Sequence, residues 1–432
     1  MKQLKILELF AGVGGFRIGF ENSCPELYVT KWANQWEPSR KSQDAFEVYD
    51  YHFNDSDNIC SDVETIPDEK FKEMDADIIV GGFPCQDYSV ARSKKGELGI
   101  EGKKGVLFWQ IIRATEIIKP KYLILENVDR LLKSPSTQRG RDFAVMLASF
   151  NELGYSVEWR VINAADYGRA QRRRRVFIFV YRNDVPFAKE IDEKFENINY
   201  KKVNKSESEM ASRYKEYIFN DGLFARQFPI IKKPVKDRFS YAKLDTDIVE
   251  TSENFSGKVW NTGVMRHGIY YSYDTTPLGN ESPITLAEIL QDESEVPEEY
   301  YLDKEKIKKF KYLRGAKRIK RTTSKGHTYI YSEGGMSSYD DLGLPGRTML
   351  TSEGSVNRST HLIYRDKRYR LLTPIEAERL QDFPDDWTKY KKLENGDILE
   401  VSKSMRLFFM GNALVTGIVK RIADELKEID SL

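Results

Sequence analysis

Short apolar runs alternate with amphipathic stretches through the first 180 residues, and this alternation restricts the chain to an α/β fold. Lys5-Ile6-Leu7-Glu8-Leu9-Phe10 predicts a strand, followed at once by Ala11-Gly12-Val13-Gly14-Gly15. Tyr28 to Ala33, Ile78 to Gly81, Lys121 to Glu126 and Val176 to Val180 predict further strands. Val106 to Ile118 has helical periodicity and stops before Pro120, and Phe143 to Leu153 predicts a helix with Gly154 at its C′ position. Continuous apolar runs belong to strands covered on both faces. The expectation is therefore a mostly parallel sheet with helices on either side.

The pattern dissolves after Asn183. Residues 184–360 are charged, aromatic and rich in Gly, Ser and Thr. An acidic stretch (Glu288, Asp292, Glu293, Glu295, Glu298, Glu299) precedes a basic one carrying Lys311, Arg314, Lys317, Arg318, Lys320, Arg321 and Lys325. Helical order returns at Thr373 to Leu380, where Thr373 can cap and Pro374 can occupy the first turn. A last helix is expected over roughly Ala413 to Leu426.

The length suggests two or three domains, or one large domain with an insertion. A formal net charge of +1 hides the local asymmetry, so global charge decides nothing about nucleic acid. The three cysteines, Cys24, Cys60 and Cys85, form neither a disulfide framework nor a zinc motif, and with four histidines no metal site is expected. No charged-then-apolar leader and no run of about 18 apolar residues is present, which predicts a cytosolic protein in a reducing compartment without a membrane partner.

Five segments carry chemistry. Gly12, Gly14 and Gly15 follow the first strand, where open α/β sheets bind nucleotides. A dinucleotide fingerprint needs a third glycine at position 17, but Arg17 stands there. Asn34-Gln35-Trp36-Glu37 follows the second strand, suited to ribose hydroxyls and an adenine face. Cys85 lies in Gly81-Gly82-Phe83-Pro84-Cys85-Gln86, directly after an apolar run and before a polar, glycine-containing stretch. That context suits a nucleophile, and Cys24 and Cys60 lack it. Glu126 ends another apolar run, and partial burial there raises a carboxyl pKa and keeps an acid available. Finally, Gln171-Arg172-Arg173-Arg174-Arg175 abuts a core strand, so at least one guanidinium is expected to point into the site.

Together these segments resemble the cytosine-5 DNA methyltransferases that use S-adenosylmethionine. Phe10 to Gly15 looks like the family's cofactor loop, Pro84-Cys85-Gln86 like its nucleophile motif, and Glu126-Asn127-Val128 like its Glu-Asn-Val motif. Gln171, Arg173 and Arg175 match Gln-x-Arg-x-Arg. Arg370 to Pro384 and Gly411-Asn412-Ala413 look like its two late motifs. The motifs keep the family's order over residues 4–182 and 368–426.

The resemblance implies a Rossmann-like class I methyltransferase domain over 1–183 plus 404–432. It also implies a smaller, irregular target-recognition domain over 184–367 and a hinge over 368–403. Cys85 would add to carbon 6 of a flipped-out cytosine, Glu126 would act at N3, and Arg175, supported by Arg173, would hold the base carbonyl. Phe10, Gly12, Gly14, Gly15, Gln35, Trp36, Asn58, Pro84, Leu107 and Asn412 would line the S-adenosylmethionine pocket. The family commonly has an acid where Gln35 stands and an aspartate where Asn58 aligns. Gln86, Ser89, Asn127 and Gln171 would meet the DNA, as would Arg347 and Thr348 of the short Thr-containing segment Gly346 to Ser352. The implied partner is double-stranded DNA, bound by a monomer in a bacterial cytoplasm at the nucleoid, with a cognate restriction endonuclease in the same system. A tRNA methyltransferase and a catalytically silent DNA-binding module remain the alternatives at this point.

Overall fold

The computed structural model describes residues 2–83, 107–195, 207–232, 238–244, 248–323 and 326–432. Its centre is a ten-stranded sheet. The first seven strands are β1 (Leu4–Leu9), β2 (Tyr28–Asn34), β3 (Asp57–Ile59), β4 (Ile78–Gly82), β5 (Tyr122–Val128), β6 (Tyr155–Asn163) and β7 (Arg174–Arg182). Three more follow, β8 (Phe239–Lys243), β9 (Thr262–Arg266) and β10 (Ile269–Tyr273). Their order is β3-β2-β1-β4-β5-β7-β6-β9-β10-β8. β1 to β5 are mutually parallel, whereas β7 runs antiparallel to β5.

Why these runs are strands is visible in their packing. Ile6, Val80, Ile124 and Phe179 are buried on one side of the sheet, and Leu7, Ile79, Leu123 and Ile178 on the other. Successive side chains of a strand point to opposite faces, so a continuous apolar run satisfies two helix layers at once. The α/β expectation for the first 180 residues is met, including the helices Leu107–Ile118 and Arg141–Glu152.

The chain ends against its own beginning. The helix Thr416–Asp430 packs on the helix Gly15–Ser23 so closely that a Cβ on Gly19 would lie 2.5 Å from Val419. This last helix starts three residues later than expected. Ala413 to Val415 are diverted because Gln381 donates to the Met410 carbonyl at 2.6 Å and Thr416 donates its amide to the Gln381 carbonyl at 3.0 Å.

The region after Asn183 divides in a way the sequence does not advertise. Its first part, through Tyr273, adds β8, β9 and β10 to the same sheet, with β9 pairing on β6. The β9–β10 hairpin turns through His267 and Gly268, whose φ values are 49° and 75°. Two positive φ angles in a two-residue loop match the twist of the flanking strands. Because β9 and β10 are buried throughout, they lack the polar alternation that marks a half-exposed strand. Only the later part stands off the sheet. It holds the helix Lys304–Arg314, a separate pair β11 (Lys317–Thr322) and β12 (Thr328–Glu333), and the short pair β13 (Ile363–Arg365) and β14 (Arg368–Arg370). The helix Pro374–Leu380 then begins with a capping box between Thr373 and Glu376, as its sequence predicts.

Candidate active site

Parallel strands bring their carboxyl ends to one edge, and an antiparallel neighbour brings its amino end there. β1, β4 and β5 therefore deliver Phe10, Phe83 and Val128 to the edge where β7 delivers Arg175, which lies in register with Val128. β1 lies between β2 and β4, the reversal of strand order where open α/β sheets form a ligand crevice.

The glycine loop at that reversal is built from left-handed backbone. Phe10, Gly12 and Gly14 have φ values of 56°, 57° and 91°. A Cβ on Gly14 would meet Phe53 at 2.6 Å, whereas one on Gly12 would meet no atom of the described residues within 4 Å. Gly12 thus borders open space. Gly81 lets β4 approach closely, since a Cβ there would sit 2.8 Å from the Leu9 carbonyl. Phe10 and Leu107 are half-buried, Asn412 is exposed, and Trp36 is 39% exposed.

Gln35 and Asn58, both expected as cofactor contacts, are used internally. The Gln35 side-chain oxygen accepts the Gly12 amide at 2.8 Å. Asn58 donates to Asp50 Oδ1 at 2.9 Å and to the Phe53 carbonyl at 2.6 Å. The carboxyl of neighbouring Glu37 is pushed up by burial against its ion pair with Arg40 at 2.8 Å.

Three groups bracing this loop were not anticipated. Arg17, standing where a third glycine would be, is buried, lies 4.0 Å over the Phe53 ring and pairs with Glu21 at 2.6 Å. Glu8 lies beneath the loop, accepts from the Tyr49 hydroxyl at 3.0 Å, and is pushed up to about 7 by burial. The signal was an acid inside an apolar strand run. Trp387 reaches over from the late segment, donating to the Val13 carbonyl at 2.8 Å and stacking on His52 at 3.6 Å.

At the β4–β5 end, Gly82 pairs with Glu126, whose carboxylate would lie 3.3 Å from a Cβ on that glycine. Glu126 is 13% exposed and meets the Arg175 Nε at 2.8 Å. Burial pushes its carboxyl above the usual range, while Arg175 and Arg173 oppose that shift. Asn127 is buried and donates to the Phe83 carbonyl at 2.9 Å, so it fixes the backbone from which β4 leaves. Pro84, Cys85, Gln86 and Ser89 lie outside the described residues.

The remaining motif residues form a floor. Arg173 is 2% exposed, and desolvation by burial, with Arg175 adding to it, pushes its guanidinium down. It donates to the Met349 carbonyl at 3.1 Å and the Gly411 carbonyl at 2.9 Å. Gln171, expected to meet DNA, is fully buried. It accepts the Met349 amide at 3.1 Å and donates to the Leu380 carbonyl at 3.2 Å. Thr348 donates to the Arg172 carbonyl, and Arg347 pairs with Asp340. Gly411 has no room for a side chain, because a Cβ would fall 2.4 Å from the Thr351 amide nitrogen. The Arg173 segment, the Met349 segment and both late motifs are thereby locked together.

The described residues contain no group of three or more side chains able to hold a metal, and no helix long and apolar enough to cross a membrane.

Comparison with known proteins gives a consistent result. The family described as C-5 cytosine-specific DNA methylase matches residues 4–428. Type II methyltransferase M.Sau3AI of Staphylococcus aureus is 53% identical over 432 residues, 100% of this chain and 97% of that protein. Type II methyltransferase M.HhaI of Haemophilus parahaemolyticus is 36% identical over 185 residues, 42% of this chain and 50% of that protein. The solved S. pombe Dnmt2 methyltransferase shares the fold, with a TM-score of 0.57 at 12% identity over 99% of each chain.

Proposed function

The chain belongs to the C-5 cytosine-specific DNA methylases, and on that premise we propose that it methylates carbon 5 of a flipped-out cytosine through a covalent Cys85 adduct, in a restriction–modification setting. The observation carrying this reading is the Glu126–Arg175 pair beside Gly82. Cys85 follows Gly82 by three residues, a reach of roughly 11 Å at most. A thiolate there can attack a base held by this pair.

Carbon 5 of cytosine is a weak nucleophile. Bond formation between the Cys85 sulfur and carbon 6 turns the ring into an enamine. Glu126 makes that addition easier by protonating N3, and burial shifts its carboxyl toward the protonated form that this requires. Arg175 orients Glu126 and faces the base carbonyl. Arg173 acts one layer down, holding the floor on which Arg175 stands. Once carbon 5 carries the transferred methyl group, its proton leaves to solvent, N3 returns its proton to Glu126, and cleavage of the sulfur–carbon bond frees the thiolate. The base must leave the duplex for any of this to occur.

S-adenosylmethionine supplies an electrophilic methyl group when bound. The residues present fit it. Gly12 borders unfilled space, Phe10 offers a half-buried ring, and Trp36 an exposed indole at the carboxyl ends of β1 and β2. Gln35 and Asn58 support that pocket by shaping the loop, and Leu107 and Asn412 border it. The catalytic unit proposed is 1–183 with 404–432, extended by the strands through Tyr273. The part standing off the sheet, between Tyr273 and the helix Pro374–Leu380, would recognise the target.

DNA containing 5-fluorocytosine tests the reading, because fluorine cannot leave as the proton does and the adduct persists. A stable protein–DNA adduct that requires S-adenosylmethionine and disappears in Cys85→Ser is expected. Adduct formation by the serine variant, or none by the parent across diverse duplexes, would sink it.

A further inference from the structure

Among the described residues, β11 and β12 pair only with each other. Every residue of β11 after Lys317 is exposed, and Tyr329 and Ile330 of β12 are 46% and 60% exposed. A two-stranded ribbon without a core beneath it is marginal alone in water. Here its base is clamped. Arg358 donates to the Leu313 carbonyl at 3.1 Å and to the Gly334 carbonyl, and it pairs with Glu333 at 3.1 Å. Arg314, 1% exposed, pairs with Asp340 at 2.7 Å and donates to the Thr360 carbonyl at 2.7 Å. Arg347 holds the same Asp340, and the next residue, Thr348, bonds the Arg172 carbonyl. The ribbon's foundation is thus tied through fixed polar contacts to the segment that ends at Arg175.

Strand alternation sorts the ribbon's side chains. One face is engaged within itself, since Arg321 lies 4.0 Å over the Tyr331 ring and Lys317 pairs with Glu333 at 3.4 Å. The opposite face pairs Arg318 with Ser332, Lys320 with Ile330 and Thr322 with Thr328. It carries two cations, three hydroxyls and an exposed isoleucine, and no acid.

Resting on the DNA-methyltransferase reading above, we propose that this face enters the major groove of the duplex substrate and that Arg318 and Lys320 read base edges there. A two-stranded ribbon fits a groove about 12 Å wide, and six residues of strand reach about 20 Å along it. Phosphate contact alone would need only cations. Hydroxyls and an exposed aliphatic side chain beside them match base edges and a thymine methyl group. The deep, narrow major groove of duplex RNA would not admit the ribbon, which favours DNA.

The test uses the whole 432-residue chain with Arg318→Ala, Arg318→Lys and Lys320→Ala. Bisulfite sequencing of DNA from a host expressing the unaltered protein first reads the methylated site. A chain that methylates no cytosine overturns the parent reading and this one with it. Given a site, binding is measured on that duplex and on a scrambled one at several salt concentrations. The alanine variants are expected to lose about 5- to 150-fold on the cognate duplex and much less on the scrambled one. Arg318→Lys should keep the scrambled-duplex affinity but not the discrimination, because lysine lacks the bidentate fork. Equal losses on both duplexes with a shallower salt slope would mean phosphate contacts only and overturn the base-reading role. Unchanged binding by variants that melt like the parent would overturn the placement altogether.

Discussion

Glu126 and Arg175 meet at 2.8 Å across the β5–β7 pair, although one ends a strand that the other's strand runs against. The antiparallel direction of β7 is what makes this contact possible. Were β7 parallel to β5, its amino end would lie at the opposite edge of the sheet.

Arg175→Ala should lower kcat by about 100-fold or more, as removal of one preorganised charge commonly does. Arg175 opposes the upward shift of Glu126, so its loss raises that carboxyl further. Activity that needs protonated Glu126 is lost as pH rises through its pKa. The alkaline limb of the kcat profile should therefore move to higher pH in the variant. A limb that stays put or moves down would contradict the assignment of Glu126 as the acid.

Asn127→Ala removes the bond that fixes the Phe83 carbonyl. A buried hydrogen bond of this kind is worth about 1–2 kcal/mol, so the fold should survive. Expected is a fall in kcat of about 10- to 100-fold with little change in KM for DNA, since the backbone entering Pro84-Cys85 loses its anchor. Steady-state kinetics with a thermal melt would check this, and a loss confined to KM would argue against a positioning role.

Gly12→Ala and Gly411→Ala should separate binding from folding. An alanine at Gly12 meets nothing, although its φ of 57° costs about 1 kcal/mol. It should weaken S-adenosylmethionine binding by calorimetry while the protein stays folded. At Gly411 the added atom meets backbone of Leu350 and Thr351, which cannot rotate away. Overpacking of that kind costs about 1–3 kcal/mol or more, visible as a lowered Tm.

Stability should fall as pH rises through neutrality. Burial raises Glu8 and Glu158 to about 7 in the folded chain. A carboxyl raised on folding contributes stability that is complete below its unfolded pKa, near 4.5, and is lost as pH rises through the folded value. Each shift corresponds to about 3 kcal/mol at full effect. Glu8→Gln keeps an acceptor for Tyr49 and should flatten part of the decline between pH 5 and 8 in thermal melts. An unchanged slope would show that Glu8 does not titrate there.

The sequence by itself determined β1, β2, β4, β5 and β7, because burial on both faces writes itself as uninterrupted apolar runs such as Ile78 to Val80 and Tyr122 to Leu125, whereas the short β3 and the mixed polar and apolar β6 were missed. It also singled out the candidate catalytic residues, because a Cys or Glu placed at the end of such a run stands out. β9 and β10 escaped because buried strands built of Tyr, Ser, Thr and Arg have no hydrophobic period to read. Only the tertiary structure decided what Gln171, Arg173, Gln35 and Asn58 bond to. Their partners, Met349, Gly411, Gly12 and Phe53, are brought to them by folding. A buried polar side chain takes whichever unsatisfied backbone group lies within about 3 Å, and chain order alone does not specify that neighbour.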